Sequence, residues 1–287
     1  MITPPITIWI HGTKPQHILP TPLSHIHIEK LHRFMHCEPG LHLAQTLDPS
    51  FHHHHLATIL HQHAPTMFPW ETLYLFGWSG MLSEDERIKA AQKLHKALKQ
   101  LIDQYEGTYQ QKPFIRIITH SHGGNVALHL ADSDTSSFLS CGIDELVLLA
   151  CPVQKSTASL IKNQLFKKIY SLHSHWDMVQ IADPQGLPGL KKALGGVFSI
   201  RSIQQLKNLF HSIEQEPLFS ARHFNPSSKL IQALVTMHGR GILHVEFMLE
   251  TFVAALPSII NNLEQLKPSE KDVTIRIIDH QIDITQQ

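Results

Sequence analysis

The chain has 287 residues, of which 42% are hydrophobic, a composition that describes a soluble globular protein. Lys and Arg together number 24, as do Asp and Glu, so no net charge favours nucleic acid or an anionic membrane as a partner. Three scattered cysteines exclude a disulfide framework, and no apolar run reaches the roughly 18 residues of a membrane-spanning helix.

The chain begins with MITPPITIWIHG, which lacks the basic and long apolar regions of a signal peptide. We therefore expect a cytoplasmic protein, and export by a route without a cleaved signal stays open. The first predicted strand, residues 6–10, ends in the sequence HGT at residues 11–13. A Pro- and His-rich stretch follows to about residue 69, with a short helix expected over residues 26–35.

The unusual feature of the composition is its 24 histidines, of which residues 52–55 are consecutive. Zinc sites need ligands at regular spacings on ordered elements. His61 and His63 lie two residues apart, a spacing that would point them to different faces of a helix. We therefore predict a His-rich surface loop and no metal site.

Strands and helices alternate along the rest of the chain. An amphipathic helix over residues 84–105 has Ser83 as its N-cap and Glu86 three residues later, which is a capping box. The further strands are predicted at residues 72–76, 114–118, 145–150, 168–172 and 230–235. This alternation predicts an α/β fold with a mostly parallel central sheet flanked by helices, in one domain spanning residues 1–287.

The most informative stretch is FIRIITHSHGGNVAL, residues 114–128. A buried strand runs directly into Ser121, and a helical pattern follows at once, which is the layout of a nucleophile elbow. Such a turn favours small residues two positions before and after the serine. Gly123 fits, but Thr119 stands where Gly is usual, so the match to G-x-S-x-G is partial. The alternative is a serine that caps an ordinary strand-to-helix turn.

An activated serine needs a base and a carboxylate, which follow it in the order acid, then base, in this kind of fold. Ligands bind beyond the carboxyl ends of strands, so Asp177, at the end of the strand over 168–172, is the predicted acid. Asp183 is the alternative acid. His244, just before an apolar helical pattern, is the predicted base, and His238 is the alternative.

With these residues in place, the chain resembles an α/β-hydrolase of the lipase/esterase type. The resemblance covers residues 6–260 and is carried by the sequences HGT at 11–13, WSG at 78–80, HSHGG at 120–124 and WD at 176–177, and by His244. It implies that the oxyanion hole is formed by the backbone N–H of Thr13 or Gly12 and that of His122. Residues 14–70 and 183–228 match nothing in the family and are candidates for a cap or lid.

The resemblance implies a serine hydrolase that acts on carboxylic esters through an acyl-enzyme, without a cofactor. Ser121 would attack the acyl carbon, His244 would move the proton, and Asp177 would orient His244. The expected substrate is a small-molecule ester, with lipid esters as one candidate. A thioesterase, a peptidase, an acyltransferase or a catalytically inactive binding protein of the same fold stays open.

Overall fold

The computed structural model describes residues 3–14, 37–132, 142–181, 223–268, 273–278 and 281–286. The strands in this part of the chain are β1 (Ile6–Ile10), β2 (Gly40–Leu43), β3 (Leu73–Gly77), β4 (Ile115–His120), β5 (Ile143–Leu149), β6 (Phe166–His173), β7 (Leu230–Met237), β8 (Arg240–Gly241), β9 (Val273–Ile278) and β10 (Gln281–Gln286). The α-helices are α1 (His52–His63), α2 (Glu84–Tyr109), α3 (Gly123–Leu128), α4 (Met178–Ile181) and α5 (Glu250–Glu264).

All ten described strands belong to one sheet, in the order β10–β9–β7–β6–β5–β4–β1–β3–β2, with β8 paired to β7. The seven strands from β9 to β3 run parallel, and β2, β8 and β10 are antiparallel additions. The predicted mostly parallel sheet is therefore confirmed. From β1 the chain moves to β3 on one side and then to β4 on the other, which makes the ends of β1 and β4 a topological switch point where ligands bind in such sheets.

Both faces of the sheet are covered by helices. The central strands are nearly continuous apolar runs because they are buried on both sides. Along β1, Trp9 packs into one core with α1 and α5, while its neighbours Ile8 and Ile10 pack into a second core with α2 and α3. The buried apolar side chains of α2 face this second core: Ala90, Ala91, Leu94, Leu98, Ile102 and Tyr105.

The His-rich segment is a helix, which corrects the prediction of a surface loop. Leu56, Ile59 and Leu60 of α1 form a buried helical stripe, and the first-turn side chains of His52 and His53 are buried with them. A neutral imidazole tolerates burial when its ring N–H has an acceptor, and His52 Nε2 donates to the carbonyl of Met248 at 3.1 Å.

Three further differences concern the boundaries and ends of elements. The helix at residues 84–105 extends to Tyr109, and the Ser83 side chain makes no capping hydrogen bond. Glu86, the other half of the predicted capping box, bonds Lys89 instead, at 2.9 Å. Strands β2, β8, β9 and β10 were not predicted. The helix expected over residues 26–35 lies outside the described residues.

Candidate active site

Ser121 occupies the sharp turn between β4 and α3. Its φ of 54° places it in the left-handed region, which a residue with a side chain adopts only where the surrounding structure imposes it. The Ser121 N–H donates to the carbonyl of Leu149 at 2.8 Å, so the turn is anchored to the end of β5. Ser121 is 5% exposed. This is the geometry expected of a nucleophile elbow.

Gly123 and Gly124, the first residues of α3, have no room for a side chain because α3 begins in contact with the segments that follow β1 and β5. A Cβ at Gly123 would lie 2.6 Å from the carbonyl oxygen of His11, and one at Gly124 would lie 2.4 Å from Sγ of Cys151. Thr119, which departs from the family pattern, is buried, and its hydroxyl donates to the carbonyl of Val147 at 3.2 Å. The polar atom that Thr adds therefore has a partner, and the turn forms without glycine there.

The loop after β1 lies directly against the turn of Ser121. A Cβ at Gly12 would be 2.8 Å from Cβ of Ser121 and 3.0 Å from the carbonyl oxygen of His120, so only glycine allows this approach. Thr13, the next residue, is also buried. The structure thus brings Gly12 to Ser121, and His122 follows Ser121 in the chain. The roles of the Gly12, Thr13 and His122 N–H groups in an oxyanion hole stay a prediction.

Trp78 and His11 hold that loop in place from the end of β3. The indole N–H of Trp78 donates to the carbonyl of His11 at 2.7 Å, and the backbone N–H of Trp78 donates to Nε2 of His11 at 3.1 Å. Nδ1 of His11 donates to the carbonyl of Gly12 at 2.7 Å, which fixes the tautomer of the ring. Trp78, in the sequence WSG at residues 78–80, therefore supports the loop after β1.

Asp177 and His244, which are 67 residues apart, form a hydrogen-bonded pair. Nδ1 of His244 lies 2.8 Å from Oδ2 and 3.0 Å from Oδ1 of Asp177. The carboxylate is 0% exposed and also accepts the backbone N–H of Gln180, at 2.9 Å, on Oδ1. A carboxylate at Nδ1 keeps the proton on that nitrogen and leaves Nε2 of His244 free to accept a proton.

The ring of His120 connects this pair to the turn of Ser121. The ring centroids of His120 and His244 are 4.7 Å apart, and Nε2 of His120 lies 3.0 Å from the carbonyl oxygen of His244. Burial, together with the nearby His244, holds the pKa of His120 well below its usual value, so the ring is neutral. The residue adjacent to Ser121 in the chain is thus in contact with the residue that Asp177 binds.

Two further contacts fix the loop that carries His244. The hydroxyl of Ser174, the first residue after β6, accepts the N–H of Ile242 at 2.8 Å. The carboxylate of Glu246 accepts the N–H of Leu243 at 2.6 Å and binds the guanidinium of Arg240 at 2.6 and 2.9 Å. Hydrogen bonds from Arg240 lower the pKa of Glu246.

The sequence analysis missed Ser174, Glu246 and His120. Leu243 is the N-cap of the helical turn over His244–Met248, and Glu246 lies three residues after it. Glu at this position is one half of a capping box, so the local sequence did contain a signal for Glu246. The contacts of Ser174 and His120 are long-range, and no local pattern indicates them.

The alternative residues are placed elsewhere or lie outside the described chain. His238 is exposed in the turn between β7 and β8, where its N–H donates to the carbonyl of Ile277 at 2.9 Å. The structure therefore brings His244, rather than His238, to Asp177. Asp183, the alternative acid, and most of the segment 183–228 lie outside the described residues.

Comparison with known proteins bears on the fold of the chain. A family model, the PGAP1-like alpha/beta domain, matches residues 86–221, just under half of the chain. This match to an alpha/beta domain agrees with the mostly parallel sheet. The chain has the α/β-hydrolase fold. The resemblance to this superfamily, drawn from the sequence, is confirmed. Comparison with curated proteins gives no significant match.

Solved structures with detectable similarity to this α/β-hydrolase fold are distant. Phospholipase PlaB from Legionella pneumophila is 16% identical over 54% of this chain and 27% of that chain, with a TM-score of 0.29. A hyperthermophilic esterase from the archaeon Pyrobaculum calidifontis is 12% identical over 96% of this chain and 65% of that chain, with a TM-score of 0.36. A gene product of Listeria innocua is 12% identical over 97% of this chain and 100% of that chain, with a TM-score of 0.40.

The chain thus spans 27% of the length of the phospholipase and 65% of that of the esterase. With TM-scores this low, these alignments carry no argument about the site or its substrate.

The described residues contain neither a candidate metal site nor a candidate membrane-spanning helix. No three or more His, Cys, Asp or Glu side chains in this part of the chain are grouped so that they could hold a metal ion. Among the helices of the described residues, none has the length and apolar character needed to cross a bilayer.

Proposed function

We propose that this chain is a serine hydrolase that cleaves carboxylic esters through an acyl-enzyme. The observation that carries the proposal is the meeting of two units at one edge of the sheet. One is Ser121, held at a φ of 54° between β4 and α3. The other is the hydrogen-bonded pair of Asp177 and His244, which the ring of His120 joins to the Ser121 turn. A nucleophile, a base and an orienting acid are the groups that acyl transfer needs.

In the proposed reaction Oγ of Ser121 attacks the acyl carbon, and Nε2 of His244 takes the hydroxyl proton. The buried carboxylate of Asp177 stabilises the imidazolium that forms and keeps Nδ1 protonated. The tetrahedral oxyanion would be stabilised by backbone N–H groups of Thr13 or Gly12 and of His122, each worth about 3–4 kcal/mol. His244 returns the proton to the leaving alcohol, and water then hydrolyses the acyl-enzyme by the same steps. These steps require no cofactor.

Lipid esters are the substrates that the surroundings of the site favour. The chain segments next to Asp177 and His244 carry half-exposed apolar side chains: Trp176, Val179, Leu243, Val245 and Leu249. Trp176 is 51% and Val245 is 55% exposed. An apolar acyl chain beside Ser121 would cover such residues. We expect kcat/KM to rise with acyl length from acetyl to octanoyl esters, and a decline along this series would contradict this part of the proposal.

The nucleophile is tested with a fluorophosphonate probe and a chromogenic short-chain ester. We expect one adduct, located on Ser121 by peptide mass spectrometry, together with ester turnover. Ser121→Ala should abolish labelling and leave less than about a thousandth of the activity, which is the residual that oxyanion stabilisation alone can give. Ser79→Ala is the matched control, because Ser79 also follows a strand and precedes a glycine, and it should keep both properties.

The same measurements separate the proposed hydrolase from its alternatives. A thioester and an amide of the same acyl group are compared with the ester, and preference for either would identify a different leaving group. Labelling of a serine other than Ser121 would overturn the assignment of the nucleophile. If the wild-type chain is neither labelled nor active on any acyl donor, it is a binding protein with this fold.

A further inference from the structure

Two side chains, those of Asp177 and His120, bind His244 through different groups. Asp177 binds the imidazole through Nδ1, and His120 binds the backbone carbonyl of the same residue at 3.0 Å. A carbonyl oxygen only accepts, so Nε2 of His120 must carry the proton in this contact. His120 is directly bonded to Ser121 in the chain, so its side chain spans the space between the nucleophile's backbone and the proposed base.

The ring of His120 makes no other hydrogen bond in the described part of the chain. It is 2% exposed, and Nδ1 has no partner among the described residues, although it faces the loop after β1. A Cβ at Gly12 would lie 3.1 Å from this nitrogen. The described contacts by which the His120 ring can stabilise the site are therefore its hydrogen bond to the His244 carbonyl and its packing on the His244 ring.

We propose that His120 is a positioning residue, which sets the distance between Ser121 and His244 through its hydrogen bond to the His244 carbonyl. This inference rests on the proposed function for its kinetic consequences. Its structural content, that the His120 bond orders the imidazole of His244, can be tested separately. Effective catalysis by a base requires its placement within hydrogen-bond reach of the nucleophile, and small displacements lower the rate.

Three substitutions separate the hydrogen bond from the ring and from burial. His120→Gln places an amide N–H about where Nε2 lies and keeps the donor. His120→Asn is too short for its amide to reach the carbonyl of His244, and His120→Phe keeps the ring without a donor. The unpaired Nδ1 means that the Gln variant loses no other hydrogen bond within the described chain.

We expect kcat to fall about tenfold to a hundredfold in the Asn and Phe variants, with KM changed less than about threefold. The loss is incomplete because Ser174 and Glu246 also hold the loop. The Gln variant should keep at least about a third of wild-type kcat. His129→Asn serves as a control for replacing a buried histidine elsewhere, since His129 pairs with Asp132 beyond the end of α3, and its kcat should be unchanged.

A second readout does not depend on turnover. The Nδ1–H of His244 gives a downfield proton resonance in NMR when it is hydrogen-bonded to a carboxylate, and it is assigned by its loss in Asp177→Asn. We expect this resonance to persist in wild type and His120→Gln and to broaden or vanish in His120→Asn and His120→Phe.

The outcomes are distinct for the two proposals. If the wild-type chain lacks turnover and labelling, the proposed function fails, and the NMR comparison alone decides the role of His120. If the Gln variant behaves like the Asn and Phe variants in both measurements, the hydrogen bond has no positioning role and the inference is overturned. The inference is likewise overturned if kcat and the resonance survive in all three variants.

Discussion

Replacing Asp177 with Asn tests the proposed mechanism most directly, because the structure specifies what the amide would face. Oδ1 of Asp177 accepts the backbone N–H of Gln180 at 2.9 Å, and that donor cannot change. In Asp177→Asn the amide oxygen therefore stays on Gln180, and the amide NH₂ takes the place of Oδ2, which lies 2.8 Å from Nδ1 of His244. Two donors would then face each other unless His244 moves its proton to Nε2.

A His244 ring with its proton on Nε2 cannot accept the proton of Ser121. The expected loss in kcat is about ten-thousandfold, the size seen for this change in serine proteases, which corresponds to about 5 kcal/mol in the activation barrier. The fold should survive, because Asn keeps the shape of Asp and one of its hydrogen bonds. The free energy of unfolding should fall by about 1–3 kcal/mol for a buried hydrogen bond that is lost or mismatched.

The assay is kcat/KM for a short-chain ester, with thermal unfolding measured alongside. Asp132→Asn is the matched control, since Asp132 also accepts Nδ1 of a histidine, His129, at 2.7 Å, away from the site. The Asp132→Asn variant should keep kcat/KM within about twofold of wild type. Asp183→Asn should also leave kcat/KM nearly unchanged. If Asp177→Asn keeps more than about a tenth of wild-type kcat/KM while remaining folded, Asp177 does not orient the base.

Three further predictions use the same enzyme preparation. His244→Ala should cost as much in rate as loss of the nucleophile, because members of a triad act as a unit, whereas His238→Ala should cost tenfold or less. Gly12→Ala should lower kcat by about a hundredfold or more, because its Cβ would lie 2.8 Å from the nucleophile's Cβ and displace the oxyanion loop. Stability to urea should fall as pH drops below about 6.5, because burial lowers the pKa of His52 and His120 from 6.5, so the unfolded chain binds protons first.

Each of these three predictions has a control variant or an outcome that would contradict it. Equal losses in the two histidine variants, or a larger loss at His238, would move the base to the other side of the loop. Gly107→Ala, on α2, has nothing within 4 Å of the added Cβ and should leave activity unchanged. The sign of the pH effect follows from proton binding. Above about pH 6.5 both states have neutral rings, and below it only the unfolded state gains protons, so a flat or rising stability toward pH 5.5 would contradict the burial argument.

The parts of the fold that the sequence predicted are those where burial leaves a local pattern. Six parallel strands were found because a strand covered on both faces is a continuous apolar run, and their ends were misplaced by only one or two residues. Strand β10, QIDITQ, is at an edge and is mostly polar, so it carries no such run. Helix α1 was missed because histidine was interpreted as a surface residue, although His52 satisfies its ring within the core.

The site was predicted in part for a related reason. Ser121 and Asp177 each follow a buried strand, and His244 precedes an apolar helix, so each is marked by its neighbours in the chain. The pairing of Asp177 with His244 has no such local mark. It follows from β6 and β7 being neighbours in the sheet, with Ile169 opposite Leu230. No local signal reports which strands are neighbours, which is why His238 remained an alternative.

The order of the strands also explains why the loop of His244 needs several hydrogen bonds to fix its position. Ser121 follows β4 and His244 follows β7, and these strands are three positions apart in the sheet, a separation of about 14 Å at the usual strand spacing. The loop after β7 first meets Ser174 at the end of β6, where Ile242 donates to its hydroxyl. It then pairs with Asp177 and finally reaches His120 at the end of β4. A segment that crosses three strands without such contacts would have many positions available to its imidazole, and each contact removes some of them. The bond to His120 is the last along this path and the nearest in sequence to the nucleophile, so among these contacts its loss should change the distance between base and nucleophile most.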